Sequence, residues 1–262
     1  MSSHNFGWIR SSGNLNVPSF KCSNSLSALS SQNSTDQYLI PCSSVPVFDQ
    51  GGLSSCVANA TNMSLQILMN IENGSYKTLS RLMSYWNARL VTGDTDKDQG
   101  TFIHLCFGEL MTLGVCEETA WPYMEAEVNS QPPLLAYKEG NDNTINAFYE
   151  ITSTDAQRLS DVELAIRANH PVVFGTEVGQ ELENYDGNPN TVFDPPTTSL
   201  GGHAITIVGV RTNAAGQKEF MIRNSWGENW GLNGCVWFSA EYITYAGTDD
   251  LFVPTQIANL LL

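Results

Sequence analysis

The sequence predicts an α+β protein of two lobes, one helical and one rich in strands. Three observations carry that reading. Apolar residues recur at helical spacing through much of the first half of the 262-residue chain. The second half holds short apolar or alternating runs bounded by turn residues. The two patterns are segregated rather than interleaved, and no internal repeat links them, which favours α+β packing over a βαβ series.

Residues 1–47 are rich in Ser, Asn, Pro and Gly and read as an irregular arm. Trp8, Phe20, Leu39 and Ile40 can pin it to a core. The helical lobe is expected over about 48–150, the strand-rich lobe over about 151–255, and a tail over 256–262. In the helical lobe, 55–71 (SCVANATNMSLQILMNI) predicts the first helix. Val57, Ala60, Ser64, Leu68 and Ile71 share one side of it, and Leu65 and Met69 widen the stripe. Ser54 or Ser55 can cap its start, and Glu72-Asn73-Gly74 ends it. A second helix covers about 79–90, with Leu79, Leu82, Met83, Trp86 and Leu90 as its stripe. A third covers about 101–113 and stops at Gly114.

The second lobe opens on a short helix over 158–169, where Ser160 and Glu163 have the spacing of a capping box. Strands are expected at 171–178, 203–210, 219–224, 235–240 and 250–255. Residues 184–202 read as a long polar loop.

Composition narrows the function. Apolar content is 42%, so a folded core is expected. No apolar run approaches the roughly 18 residues that a membrane span requires. The first twenty residues lack the apolar stretch of a signal peptide, which favours an intracellular location. A net charge of −15 repels nucleic acid and anionic membranes, so neither is expected as a partner. Cys22, Cys42, Cys56, Cys106, Cys116 and Cys235 include no CxxC pair, and the four histidines show no HExxH spacing. No metal or cofactor is therefore expected. Asn33, Asn59, Asn62 and Asn73 match the glycosylation pattern by chance, two of them inside the first helix.

Four residues have the chemistry of a thiol-based acyl-transfer site. Cys56 sits at a helix N-terminus after DQGGLSS, where free N–H groups and the helix field stabilise a thiolate. His203 opens an apolar strand just after Gly201-Gly202, whose lack of side chains admits a close neighbour. Asn224 ends another strand and opens NSWGENWG, and its carbonyl can accept from an imidazole N–H and fix the tautomer. Trp226 can shield that bond from water. Gln50, six residues before Cys56, can bring an amide donor back to the thiol and complete an oxyanion hole with the Cys56 N–H. Each residue alone has an ordinary structural explanation, and it is their combination that points to nucleophilic catalysis.

DQGGLSSCVANA (49–60), GGHAITIVGV (201–210) and NSWGENWGLNGCVWF (224–238) resemble three signature blocks of the papain family, in the family's order. FGWIR (6–10), LSRLMSYWNAR (79–89) and GVCEETAWPY (114–123) are similar to versions in bacterial and archaeal members. The resemblance implies a two-lobed papain-like fold, with a helical left lobe, an antiparallel β-barrel-like right lobe and the active-site cleft between them. It implies Cys56 as nucleophile, His203 as general acid and base, Asn224 as the orienting residue and Gln50 in the oxyanion hole. Gly100, Trp121, Tyr123, Gly202, Trp226 and Trp230 are implied to line the substrate cleft, with an apolar pocket for the second residue before the scissile bond.

The implied activity is that of a monomeric cysteine endopeptidase acting on peptides or proteins, with a protein inhibitor as a further partner. A same-fold peptide ligase and a catalytically impaired binding protein are the alternatives. Four departures stand out. Val57 replaces a common Trp, Ser54-Ser55 replaces Gly-Ser, Gly202 replaces Asp or Asn, and Leu53 replaces a cysteine that forms a disulfide. A long inhibitory proregion is also absent from the sequence, and the 47-residue arm is long enough to cross the cleft as a built-in blocker.

Overall fold

The computed structural model describes residues 4–20 and 37–257. After a short strand β1 (Gln37–Leu39), the helical lobe is built from α1 (Cys56–Asn73), α2 (Arg81–Thr92), α3 (Ile103–Thr112) and α4 (Leu134–Gly140). β2 (Ile145–Glu150) leads to α5 (Asp155–Arg167), β3 (Val172–Val178), α6 (Gln180–Glu183) and β4 (Val192–Phe193). The chain finishes with β5 (Gly201–Thr212), β6 (Lys218–Arg223), β7 (Cys235–Ser239), α7 (Ala240–Thr244) and β8 (Thr248–Ile257).

α1 lies close to where the sequence places it, but it is buried on all sides from Cys56 to Met69 rather than along one stripe. The cause is its position between two cores. Met63 and Ile67 pack with the sheet residues Phe174, Ile205, Val210 and Ile222. Val57, Leu65 and Leu68 pack with Leu79 and with Met83, Phe107 and Leu110 of the other helices. A helix with neighbours all round must satisfy its own polar groups. Thr61 therefore donates to the Val57 carbonyl, and Ser84 donates to Asn62 Oδ1. Asn59 and Asn62 are buried here, with no room for a glycan.

Helix starts diverge from expectation for local reasons. α2 begins at Arg81 and is capped by Ser80, whose hydroxyl accepts from the Met83 N–H, so Leu79 lies outside it. Ser55 makes no capping bond, because its hydroxyl is taken by Tyr123 and Asn59. α5 starts at Thr154–Asp155, ahead of Ser160. Ser160 is therefore interior and donates back to the Ala156 carbonyl, while Glu163 pairs with Arg167 and Lys218.

The expected β-barrel-like right lobe is not present. The sheet is open, with strand order β2-β8-β3-β5-β6-β7-β4, and β1 pairs separately with β5. It is also mixed, because β4 pairs parallel with β7. Two features prevent closure. A barrel gives every strand two neighbours, whereas β5 pairs with β1 as well as β3 and β6. The β2 edge is held by the helical lobe, where Phe148 stacks on Phe107 with centroids 5.3 Å apart. The opposite edge is β4, only two residues long. β2 and β4 lie within stretches where the sequence predicts no strand. β8 runs to Ile257, two residues past the expected strand-rich lobe, and pairs it with Ile145.

The five cysteines among the described residues, Cys42, Cys56, Cys106, Cys116 and Cys235, are free thiols. Cys22 and Asn33 lie outside the described residues. Among the described residues, no helix is long and apolar enough to cross a membrane.

Candidate active site

The nucleophile candidate and its partners come from different elements that the fold brings together. α1 starts at Cys56, and β5 carries His203 and Ala204. The Ala204 N–H donates to Cys56 Sγ at 3.5 Å, tying the helix start to the strand. Asn224 follows β6, the neighbour of β5, and its Oδ1 lies 2.8 Å from His203 Nε2. The same oxygen accepts from the Ser225 N–H at 2.8 Å, so it faces the imidazole as an acceptor. Nε2 therefore carries the proton, and Nδ1, which is buried without a hydrogen-bond partner, holds the free lone pair. Trp226 stacks on the His203 ring at 5.0 Å, and Trp230 meets Trp226 edge-on at 5.1 Å.

Gln50 is fully buried and oriented from both ends. Its Oε1 accepts from Ser225 Oγ at 2.7 Å, which turns the amide nitrogen the other way. That nitrogen donates to the Leu53 carbonyl at 2.9 Å and to the Asn5 carbonyl at 3.0 Å. Asn5 belongs to the N-terminal arm.

The arm passes directly through this site. His4 stacks on Trp226 at 4.8 Å, and Phe6 meets His203 edge-on at 6.0 Å. The Gly7 N–H points at Cys56 Sγ, and the Gly7 carbonyl accepts from Thr101 N–H at 2.8 Å. Trp8 N–H donates to the Gly202 carbonyl at 3.0 Å, so the arm bridges both lobes. Gly7 is required here: a Cβ on it would stand 1.8 Å from the Ser54 carbonyl oxygen. The arm thus presents an N–H to the sulfur and a carbonyl to Gln50.

Burial under the arm sets the charges. Loss of solvent pushes the Cys56 thiol up to about 11, against smaller opposing effects from the N–H groups of Ala204, Gly7, Val57 and Cys56. The same desolvation pulls His203 down to about 4, although Asn224 opposes it. In this closed form the pair is a neutral thiol and a neutral imidazole.

A model of the papain family cysteine protease matches residues 33–251. The chain belongs to the papain family of cysteine peptidases. It is similar to xylellain, a cysteine protease from Xylella fastidiosa, at 27% identity and a TM-score of 0.83 over 96% of both chains. A peptidase C1-like protein of Acanthamoeba polyphaga mimivirus is 28% identical over 82% of this chain and 71% of its own. Cysteine endopeptidase RepA of rice is 28% identical over 72% of this chain, which spans 47% of the rice protein.

Within this papain-family fold, Gln50, Cys56, Gly100, Gly202, His203 and Trp226 meet arm residues 4–8, with Asn224 bonded to His203 and Trp230 packed on Trp226. A Cβ on Gly100 would collide with the Gly7 carbonyl at 2.1 Å. Trp121 and Tyr123 make their bonds within the helical lobe. The Trp121 carbonyl accepts from Ser80, and Tyr123 donates to the Gln50 carbonyl at 2.8 Å. Tyr123 thus braces the loop that carries Gln50.

Three supporting residues escaped sequence reasoning. Ser225 orients Gln50. Asp98 accepts from the Ser54 N–H at 3.0 Å and from Tyr85 OH at 2.7 Å, and Tyr85 OH accepts from the Gly100 N–H at 2.9 Å. Arg81 lies over the Tyr123 ring at 3.9 Å and the Phe48 ring at 4.5 Å, and it donates to the Asp49 carbonyl and to Glu118. A charged residue at a helix start beside SYWNAR was the available signal for Arg81.

Proposed function

We propose that the chain is a cysteine endopeptidase held latent by its own N-terminal arm. The observation that carries this reading is the 2.8 Å bond from His203 Nε2–H to Asn224, with the adjoining Ala204 N–H on the Cys56 sulfur. That arrangement leaves Nδ1 as the base. Once the arm leaves and water returns, desolvation of the pair is relieved, and proton transfer from Cys56 to His203 becomes less costly.

The thiolate then adds to the substrate carbonyl carbon. The resulting oxyanion is held by Gln50 Nε2 and the Cys56 N–H, and one such donor contributes about 3–4 kcal/mol. His203 gives its proton to the departing amine, the C–N bond breaks, and a thioester to Cys56 remains. Water then adds, with His203 taking its proton, and releases the acid and the thiol.

The test is covalent labelling of the full chain carrying Trp8→Ala, which loosens the arm. An epoxysuccinyl peptide should modify Cys56 alone, as mapped by mass spectrometry, and peptide hydrolysis should disappear in step. Modification of a different cysteine with hydrolysis intact would remove Cys56 from the mechanism. Product that forms only with an added amine would indicate a ligase.

A further inference from the structure

Two cysteines that the active site does not use share one guanidinium. Arg223 ends β6 and is only 5% exposed. Its Nη1 donates to Cys42 Sγ at 3.3 Å and to the Cys42 carbonyl at 3.1 Å, and its Nη2 donates to the Val45 carbonyl. Its Nε is buried without a partner, and among the described residues no carboxylate pairs with it. A buried cation without an anion is costly. Cys235 stands opposite Arg223 across the β6–β7 ladder, where opposed residues send their side chains to the same face. Cys42, Arg223 and Cys235 line one open groove of about 490 Å³, whose apolar walls include Leu39, Val208, Met221 and Leu232. Cys56, Cys106 and Cys116 are fully buried by comparison.

We propose that Cys42 and Cys235 are a thiol–disulfide exchange site: Cys42 reacts with small disulfides that enter the groove, and Cys235 then closes an internal disulfide with it. The anion missing beside Arg223 is the reacting Cys42 thiolate, held by a charge-assisted bond. It attacks one sulfur of a low-molecular-weight disulfide RS–SR. The S–S bond of the reagent breaks, RS⁻ leaves with the electron pair, and Cys42 carries a mixed disulfide. Cys235 is held back until then. Burial pushes its thiol up to about 12, Arg223 opposes that rise, and Cys42 adds to it. Capping Cys42 removes the Cys42 contribution and leaves Arg223 to serve Cys235 alone. The Cys235 thiolate then attacks the Cys42 sulfur, and a second RS⁻ leaves. The net change converts two protein thiols and RS–SR into one protein disulfide and two RSH, so the small disulfide is the oxidant. Residues 42–48 lead to Gln50, and Arg223 adjoins Asn224, so the new bond fixes both flanks of the candidate active site without touching its reacting groups. The proposal does not depend on the peptidase reading.

Two measurements on the full chain test this. In the first, reduced protein is incubated with oxidised glutathione, remaining thiols are blocked with iodoacetamide under denaturing conditions, and an unreduced digest is read by mass spectrometry. A Cys42–Cys235 crosslink should accumulate while Cys106 and Cys116 stay alkylatable. Cys235→Ser should stop at a glutathione adduct on Cys42. Cys42→Ser should keep Cys235 a free thiol at least about tenfold longer than in the parent chain. A lasting glutathione adduct on Cys42 of the parent chain, a crosslink from either cysteine to another thiol, or a parent chain in which both stay alkylatable overturns the proposal.

The second is thermal unfolding, which needs no digest and no activity. The oxidised parent chain should melt about 5 °C above the reduced one, because the bond closes a long loop in the unfolded chain. Dithiothreitol should reverse the gain, and both serine variants should lack it. An equal gain in either serine variant would place the reacting thiols elsewhere and overturn the pair.

Discussion

Gln50 Nε2 donates to the carbonyl oxygen of Asn5 at 3.0 Å, so the amide expected to meet a reaction's oxyanion is occupied by the protein's own chain. The contact is specific, because Ser225 fixes which end of the amide faces the arm. Gln50→Ala is therefore expected to lower kcat by about a hundredfold to a thousandfold with KM little changed. Ser225→Ala should cost less, about tenfold, because Gln50 remains but loses its orientation. Steady-state kinetics on arm-loosened protein check both.

Gly7 fits only because it lacks a side chain. Gly7→Val would push a Cβ into the Ser54 carbonyl, 1.8 Å away, and should expel the arm from the cleft. Alkylation of Cys56 in this variant should run at least about tenfold faster than in the parent chain at neutral pH. An unchanged rate would mean that residues 4–8 do not guard the thiol.

The closed form should be sensitive to acid. Burial lowers the basicity of both His203, to about 4, and His4. Each binds a proton more weakly in the closed form than in a solvated one. Their contribution to closure is present above about 6.5, the ordinary histidine value, and is lost as pH falls toward about 4. Hydrogen exchange in residues 4–9 should therefore accelerate from pH 7 to pH 4 relative to its intrinsic rate. Cys56 has the opposite sign. With its thiol raised to about 11, alkylation of the intact closed form should climb steadily from pH 7 toward pH 10.

Arg81 braces the Gln50 loop through Asp49, Phe48 and Tyr123, and it pairs with Glu118 at 2.9 Å. Arg81→Met should lower the unfolding free energy by about 3 kcal/mol, since it leaves Glu118 without its cation. Lysine should rescue only part of this, because it has no planar group to lie on the rings. Denaturant melts of the two variants provide the comparison.

What the sequence made legible follows from distance along the chain. Cys56, His203 and Asn224 each carry a local signature: a helix start, a strand start after two glycines, and a Trp- and Gly-rich turn. Gln50 is within one loop of Cys56. Trp8 Nε1 donates to Asp250 across 242 residues of chain, and Ser225 donates to Gln50 across 175, so neither pairing leaves a local trace. The capping-box spacing at Ser160 and Glu163 misplaced a helix start, because the same spacing suits an interior serine beside an ion pair. The open sheet was hidden for another reason. Closure depends on what captures each edge strand, and Phe107 in the helical lobe captures β2.

The central claim is that Cys56 forms a thioester with the substrate's acyl group. Trp8→Ala protein mixed with a peptide ester, quenched in acid and analysed by mass spectrometry, addresses it directly. The account predicts a mass increase equal to the acyl portion, located on Cys56 and released by hydroxylamine, with no adduct and no hydrolysis in Cys56→Ala. Hydrolysis that persists in Cys56→Ala, or an acyl group found on another residue, would contradict it.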